Sequence, residues 1–219
     1  TRNREHILEC AKARVLEEIY RLLREGAAYR ALQLLIETGV QPVLLPELTP
    51  VVEDEERREL LYHRLQAIDA LRNEVAVTNP LLLSSLYYGI LVDPEEILRR
   101  RANGSAQLDQ AVRGILAHWV PSRRDRDRTR QILMAQRRLC PTTGKRRRRR
   151  PTALVAQEYF TESLALYKVC CHTGEADPST IEKWESLAAR VSPPKGDAQG
   201  DGRKPRRRRR RRRRPRRPK

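Results

Sequence analysis

The stretch ILECAKARVLEEIYRLLREG, residues 7–26, sets Ile7, Leu8, Ala11, Val15, Ile19, Leu22 and Leu23 at the three- and four-residue intervals of a helix face. Gly26 follows where a helix end favours glycine. A second short helix carries Leu32, Leu35 and Ile36 and stops at Gly39, so the opening reads as an α-hairpin. Working outward, Pro42-Val43-Leu44-Leu45-Pro46 is expected to be an extended connector, because proline disfavours the α conformation in the residue before it. A helix headed by Glu53 to Glu56 then presents Leu61, Leu65, Ile68 and Leu71 on one face, its acidic start matched to the helix dipole.

The same punctuation continues to the last apolar residue. Asn79-Pro80 and Asp93-Pro94 each read as an N-cap followed by proline at the first helical position. Asn103-Gly104-Ser105 reads as a turn and cap opening a helix with Leu108, Val112, Ile115 and Leu116 inward; Val120-Pro121-Ser122 ends it and starts another. Pro151 begins a helix bearing Leu154, Val155, Tyr159, Leu164 and Leu166, and Asp177-Pro178 begins the last, with Ile181, Trp184 and Leu187. No alternating run survives. The expectation is an all-α fold, an irregular multi-helix bundle of about eight or nine helices, divided into a neck-like hairpin at 1–48, a helical body at 49–191 and a basic tail at 192–219.

Charge is concentrated at two places. The chain of 219 residues has a formal charge of +18, of which 14 charges sit at 203–219 and six at 145–150, so the remainder is −2. A run of like charges repels itself and buries no apolar surface, so the tail is expected to be disordered. Arg206, Arg207, Arg208, Arg209, Arg210, Arg211, Arg212, Arg213 and Arg214 can neutralise several phosphates at once. Counterion release then drives binding, with a salt slope of about −0.7 per phosphate on a single strand. A solubilising or import role is the alternative. Lys145, Arg146, Arg147, Arg148, Arg149 and Arg150 form a second run between helices. Arg123, Arg124, Arg126, Arg128 and Arg130 form a third group, supplemented by Arg137 and Arg138. On a helix these spread over more than one face, and Asp125 and Asp127 pair with some of them. A nucleic-acid backbone is the chemistry such a surface fits, with no base readout implied.

Other chemistry is thinner. Four cysteines, Cys10, Cys140, Cys170 and Cys171, make neither a disulfide framework nor a zinc pair and fit a reducing cytoplasm. Cys170-Cys171-His172 reads as helix-end packing; His6, His63 and His118 stand alone. Asp125-x-Asp127 alternates with arginines in a helical segment, poor support for a metal site. Neither a signal peptide nor 18 consecutive apolar residues is present, so no membrane role is expected. The opening at Thr1, partway into a polar segment, raises the expectation of a piece of a longer protein.

Several stretches together carry a family likeness. VLEEIYRLLREG at 15–26, ALQLL at 31–35 and LLPEL at 44–48 resemble the helical region beyond the catalytic part of bacterial poly(A) polymerase. VPSRR at 120–124, RQIL at 130–133, QRRL at 136–139 and EYFTESL at 158–164 are similar to a later segment of that family, and the Arg-rich tail completes the order. The resemblance implies an enzyme related to the tRNA CCA-adding enzymes that adds untemplated AMP from ATP to RNA 3′ ends, promoting RNA decay. It implies no catalytic residue here. The family's Gly-Ser pair and two-aspartate motif belong to a head absent from these residues, and Gly104-Ser105 and Asp125-x-Asp127 fall in the wrong region. ATP and Mg²⁺ are therefore expected only with the head, and this chain alone is expected to be inactive. Expected partners are RNA 3′ ends and, through the family, RNA-decay machinery or an RNA helicase. Alternatives are a free-standing basic nucleic-acid-binding protein or part of a CCA-adding enzyme.

Overall fold

The computed structural model describes residues 10–92, 104–119, 121–140 and 151–191. Among them are eleven α-helices and no strand. In chain order these are α1 (Lys12–Arg24), α2 (Ala28–Glu37), α3 (Gln41–Leu44), α4 (Thr49–Val52), α5 (Glu55–Leu71), α6 (Asn79–Leu91), α7 (Gly104–Leu116), α8 (Arg123–Leu139), α9 (Thr152–Val155), α10 (Phe160–His172) and α11 (Ile181–Arg190). The helix expected after Asp93-Pro94, the basic loop and the tail lie outside the described residues.

Local signals explain most boundaries. Asp54 caps α5 by accepting from Arg57 N–H at 3.0 Å, and Ser122 caps α8 by accepting from Asp125 N–H at 3.0 Å. Asp177 accepts from Ser179 N–H at 2.9 Å and leads through a 3₁₀ turn, Pro178–Thr180, into α11. At Gly39 (φ 66) the amide donates to Ile36 and that of Val40 to Leu35, a Schellman closure of α2.

Four expectations need correction. The Pro42–Pro46 stretch begins with a helical turn, α3: Pro42 sits in the first turn, where its missing N–H has no helical partner to lose. The buried Gln41 side chain also donates to Leu45 O at 2.7 Å, closing the turn. The rule against helix before proline operates one step later, where Leu45 leaves the helical region before Pro46 (φ −133, ψ 58). At the next boundary the cap of α6 is Thr78 rather than Asn79, its hydroxyl accepting from Leu81 N–H at 3.4 Å. The single helix expected after Pro151 is two, α9 and α10. Leu154 and Phe160 both reach one apolar cluster, yet on an unbroken helix they would point about 120° apart. Lastly, Leu22 does not join the inward face of α1: Val15, Leu16, Ile19, Tyr20 and Leu23 are buried and Leu22 is exposed.

The core is built on α6, whose residues from Pro80 to Tyr88 are all buried. A helix apolar on every side needs neighbours on every side. α1, α5, α8 and α10 supply them, and α8 in turn lies against α7, α6 and α10. Buried Ser84 and Ser85 satisfy their hydroxyls within α6, donating to Pro80 O and Leu81 O at 2.7 and 2.9 Å. The main cluster runs from Val15 to Cys170. A smaller one joins the end of α8 to α9, α10 and α11 around Phe160 and Trp184, and the Trp184 indole donates to Leu139 O at 3.1 Å, satisfying a carbonyl in the last turn of α8. Among the described residues one charged side chain is fully buried: Arg64 on α5 lies 3.7 Å from the Glu175 carboxylate, beside the face of Tyr88.

Candidate nucleic-acid interface

Helix α8 carries the arginines at 123, 124, 126, 128 and 130, and its position between α7 and α10 decides what each can do. Residues three, four and seven apart share a face, so Arg123, Arg126, Asp127 and Arg130 look one way. They line a cleft of about 500 Å³ with Asp109, Val112 and Arg113 of α7. Arg124, Asp125 and Arg128 look the other way, into a smaller cleft of about 290 Å³ with Thr78, Asn79, Pro80 and Glu162. Asp125 and Asp127 are therefore on different sides of the helix.

The larger cleft holds four arginines against two aspartates. Arg123 is 91% exposed and lies 3.8 Å from Asp127 one turn on, a solvated ion pair of little strength. Arg130 spans the cleft to Asp109 at 3.4 Å. That approach suffices for an ion pair but is not aligned as a hydrogen bond, for the same Asp109 oxygen has no hydrogen-bond partner. Arg113 and Arg126 have no carboxylate within ion-pair reach among the described residues. The cleft thus offers uncompensated guanidinium groups to an anion.

The smaller cleft is electrically closed. Arg128 is only 16% exposed and contacts Glu158 at 3.0 Å and Glu162 at 3.5 Å. Glu162 also accepts the Thr78 hydroxyl proton, so one carboxylate ties α10 to α8 and to the start of α6. Tyr20 packs nearby, its phenol pKa raised by burial and next by the Asp125 charge. Arg124 is exposed beside this junction; Arg137 and Arg138 are half-buried in the last turn of α8, where cations suit the helix C-terminus. Lys145 to Arg150 and Arg206 to Arg214 lie outside the described residues.

Sequence reasoning missed Arg113 and Asp109. A signal existed: both fall one position after the inward residues Leu108 and Val112 of α7, on the adjacent polar face. Elsewhere, no three His, Cys, Asp or Glu side chains converge as a metal requires among the described residues. Cys170 is buried in the last turn of α10 and Cys171 packs on the smaller cluster, and burial holds the Cys171 thiol up at about 11. Among the described residues no helix is long and apolar enough to cross a membrane.

Among the described residues, fold and cleft together form an all-helical body with a cleft whose arginines outnumber its carboxylates. The segment described as "Polymerase A arginine-rich C-terminus" matches residues 105–218, which include every residue of the larger cleft, and "Probable RNA and SrmB-binding site of polymerase A" matches residues 1–51. The chain belongs to the polymerase A family and carries its RNA-binding and arginine-rich C-terminal regions. No curated protein sequence matches the chain.

Proposed function

We propose that this chain is the RNA-holding portion of a bacterial, cytoplasmic poly(A) polymerase, an enzyme that adds untemplated AMP from ATP to RNA 3′ ends in RNA processing and decay. The α7–α8 cleft takes phosphates of the RNA backbone through Arg113, Arg123 and Arg126. Arg124, Arg137 and Arg138, the basic run 145–150 and the tail extend the grip, while Arg128 and Arg130 hold the helices that shape it. The 3′ end is delivered to a catalytic head outside these residues, which supplies the ATP and Mg²⁺ chemistry. Residues 1–51 engage RNA and SrmB, the two ligands that their family description prints.

The observation that carries this reading is the cleft itself: four arginines, two without a carboxylate partner among the described residues, inside the arginine-rich segment of the family. Guanidinium groups stay charged at any physiological pH and match phosphate oxygens in pairs. The test is the double substitution Arg123→Glu and Arg126→Glu, with affinity for a short oligoadenylate measured against salt. The salt slope should flatten by about 0.7 for each phosphate that is no longer neutralised, and deletion of residues 203–219 should flatten it further. Unchanged affinity and slope in the double variant reject the cleft as the RNA path.

A further inference from the structure

Asp109 is out of keeping with a cleft proposed to take phosphates. It stands on α7 among Arg113, Arg123, Arg126 and Arg130, and a carboxylate repels the ligand that those arginines attract. The other acid of the cleft, Asp127, is 60% exposed, so water screens its charge, and Arg123 one turn before it is its partner. Asp109 is only 33% exposed, and its Oδ1 is buried without a hydrogen-bond partner among the described residues. Arg130 Nε, 3.4 Å away, brings a charge to that oxygen but no aligned proton.

An unfilled acceptor beside guanidinium groups suits a ligand that carries a proton donor next to an anion. The sugar–phosphate backbone of DNA has no such donor. RNA has one on every sugar, the 2′-hydroxyl, on the carbon next to the one that bears the 3′ phosphate. The spacing on α7 fits this pair of groups. Asp109 and Arg113 are four residues apart on one helix, which puts their Cβ atoms about 5–6 Å from each other. The carboxylate is thus placed to accept from a 2′-hydroxyl while Arg113 holds the adjoining phosphate.

Bases also carry donors, the adenine amino group among them. Among the described residues, however, the cleft has no aromatic ring on which a base would be held in plane, and its apolar member is Val112 alone. The backbone is what such a lining seats, so the sugar hydroxyl is the donor that meets Asp109. Rotation about the Asp109 Cβ–Cγ bond, a broad two-fold torsion, brings either oxygen to the cleft without moving a helix.

We infer that Asp109 is the residue by which the α7–α8 cleft distinguishes ribose from deoxyribose, accepting a hydrogen bond from the 2′-hydroxyl of a nucleotide whose phosphate the cleft arginines hold. This rests on the proposed reading of the cleft as the RNA path and adds to it a choice of sugar. The experiment titrates the full chain, over a salt series, with three oligoadenylates of one length that differ only in the 2′ substituent: hydroxyl, hydrogen or fluorine. Fluorine keeps the sugar pucker of RNA but donates no proton. The hydroxyl form should bind at least about fivefold more tightly than either of the others. Asp109→Ala, checked for unaltered thermal unfolding, should bring all three within about twofold of one another. Asp109→Leu, closer in size and equally without an acceptor, should do the same and serves if alanine loosens α7. Asp127→Ala removes the same charge from the same cleft and should keep the fivefold ratio. Equal binding of the three by the unaltered chain overturns the inference, as does a ratio that survives both Asp109 changes. Fluorine binding as tightly as hydroxyl overturns it in favour of sugar pucker, and a ratio lost in Asp127→Ala overturns it in favour of charge alone. Affinity that falls equally for all three in the Asp109 variants overturns it in favour of a base contact. Failure of the RNA path itself shows instead as unchanged affinity in Arg123→Glu, Arg126→Glu, whereas a failure confined to Asp109 leaves the loss in that variant intact.

Discussion

On the α7 side of α8, Arg123 and Arg126 stand over an open cleft with at most a solvated aspartate for company. On the α10 side, two residues further along the same helix, Arg128 is nearly buried between Glu158 and Glu162, and the Thr78 hydroxyl completes the junction. Both sides hold arginines and acids in alternation. What separates them is what lies opposite: a polar face of α7 in one case, two glutamates at the start of α10 in the other. An arginine-rich helix is therefore not uniform around its axis; one side binds the protein to itself and the other is left open to solvent.

The largest expected effect falls on the core behind both sides and comes from pH. Burial raises the phenols of Tyr20, Tyr87, Tyr88 and Tyr167, the last to about 12, and Tyr20 also senses Asp125. A group whose folded pKa exceeds its unfolded value stabilises fully below the unfolded value, about 10 for tyrosine, and loses that contribution as pH rises through the folded one. Global unfolding is expected above about pH 10, with tyrosinate absorbance tracking the loss of helical circular dichroism. Ionisation that precedes helix loss would place these phenols in contact with water. RNA binding should persist up to the same transition, since the proposed contacts are made by arginines and not by the phenols.

Glu162→Ala should cost less, about 2–3 kcal/mol, because it leaves the largely buried Arg128 with only Glu158, which is 84% exposed. Thermal or denaturant unfolding measures this, and a cost below about 0.5 kcal/mol would erase the difference between the two sides. The smallest effect belongs to Asp127→Asn on the open side. It should leave stability within about 0.5 kcal/mol, because a solvated ion pair contributes little. Freed from its carboxylate, Arg123 should hold oligoadenylate a few-fold more tightly at low salt, a gain that screening removes at high salt. A loss of affinity would mean that Asp127 positions Arg123 instead of competing for it.

Much of the helical layout was legible because its causes are local. Ser122 opens the helix expected of it, the acidic stretch 53–56 heads α5, Gly26 and Gly39 end their helices, and the apolar spacing of α5 and α7 marks their buried faces. Two local readings failed for reasons of the same scale, proline tolerance in the first turn of α3 and the cap of α6 one residue early. Leu22 and the break between α9 and α10 failed for a different reason. Nothing within α1 distinguishes Leu22 from Leu23, and only the shared cluster requires Leu154 and Phe160 to point the same way. The candidate site was legible as a charge total, and the family likeness as collinear segments, without a geometry for either.

The sequence by itself determined an all-helical chain with concentrated positive charge, because helix periodicity, capping and charge depend on residues within a turn or two of one another. Which cation meets solvent was decided only in the tertiary structure. Arg128 meets Glu158 and Glu162 across 30 and 34 positions, Asp69 caps a helix some 40 positions before it, and Arg113 joins Arg126 across the α7–α8 cleft. Whether an arginine is a strut or a ligand contact depends on the sign of what packs against it, and pairings at that separation leave no periodic trace in the chain.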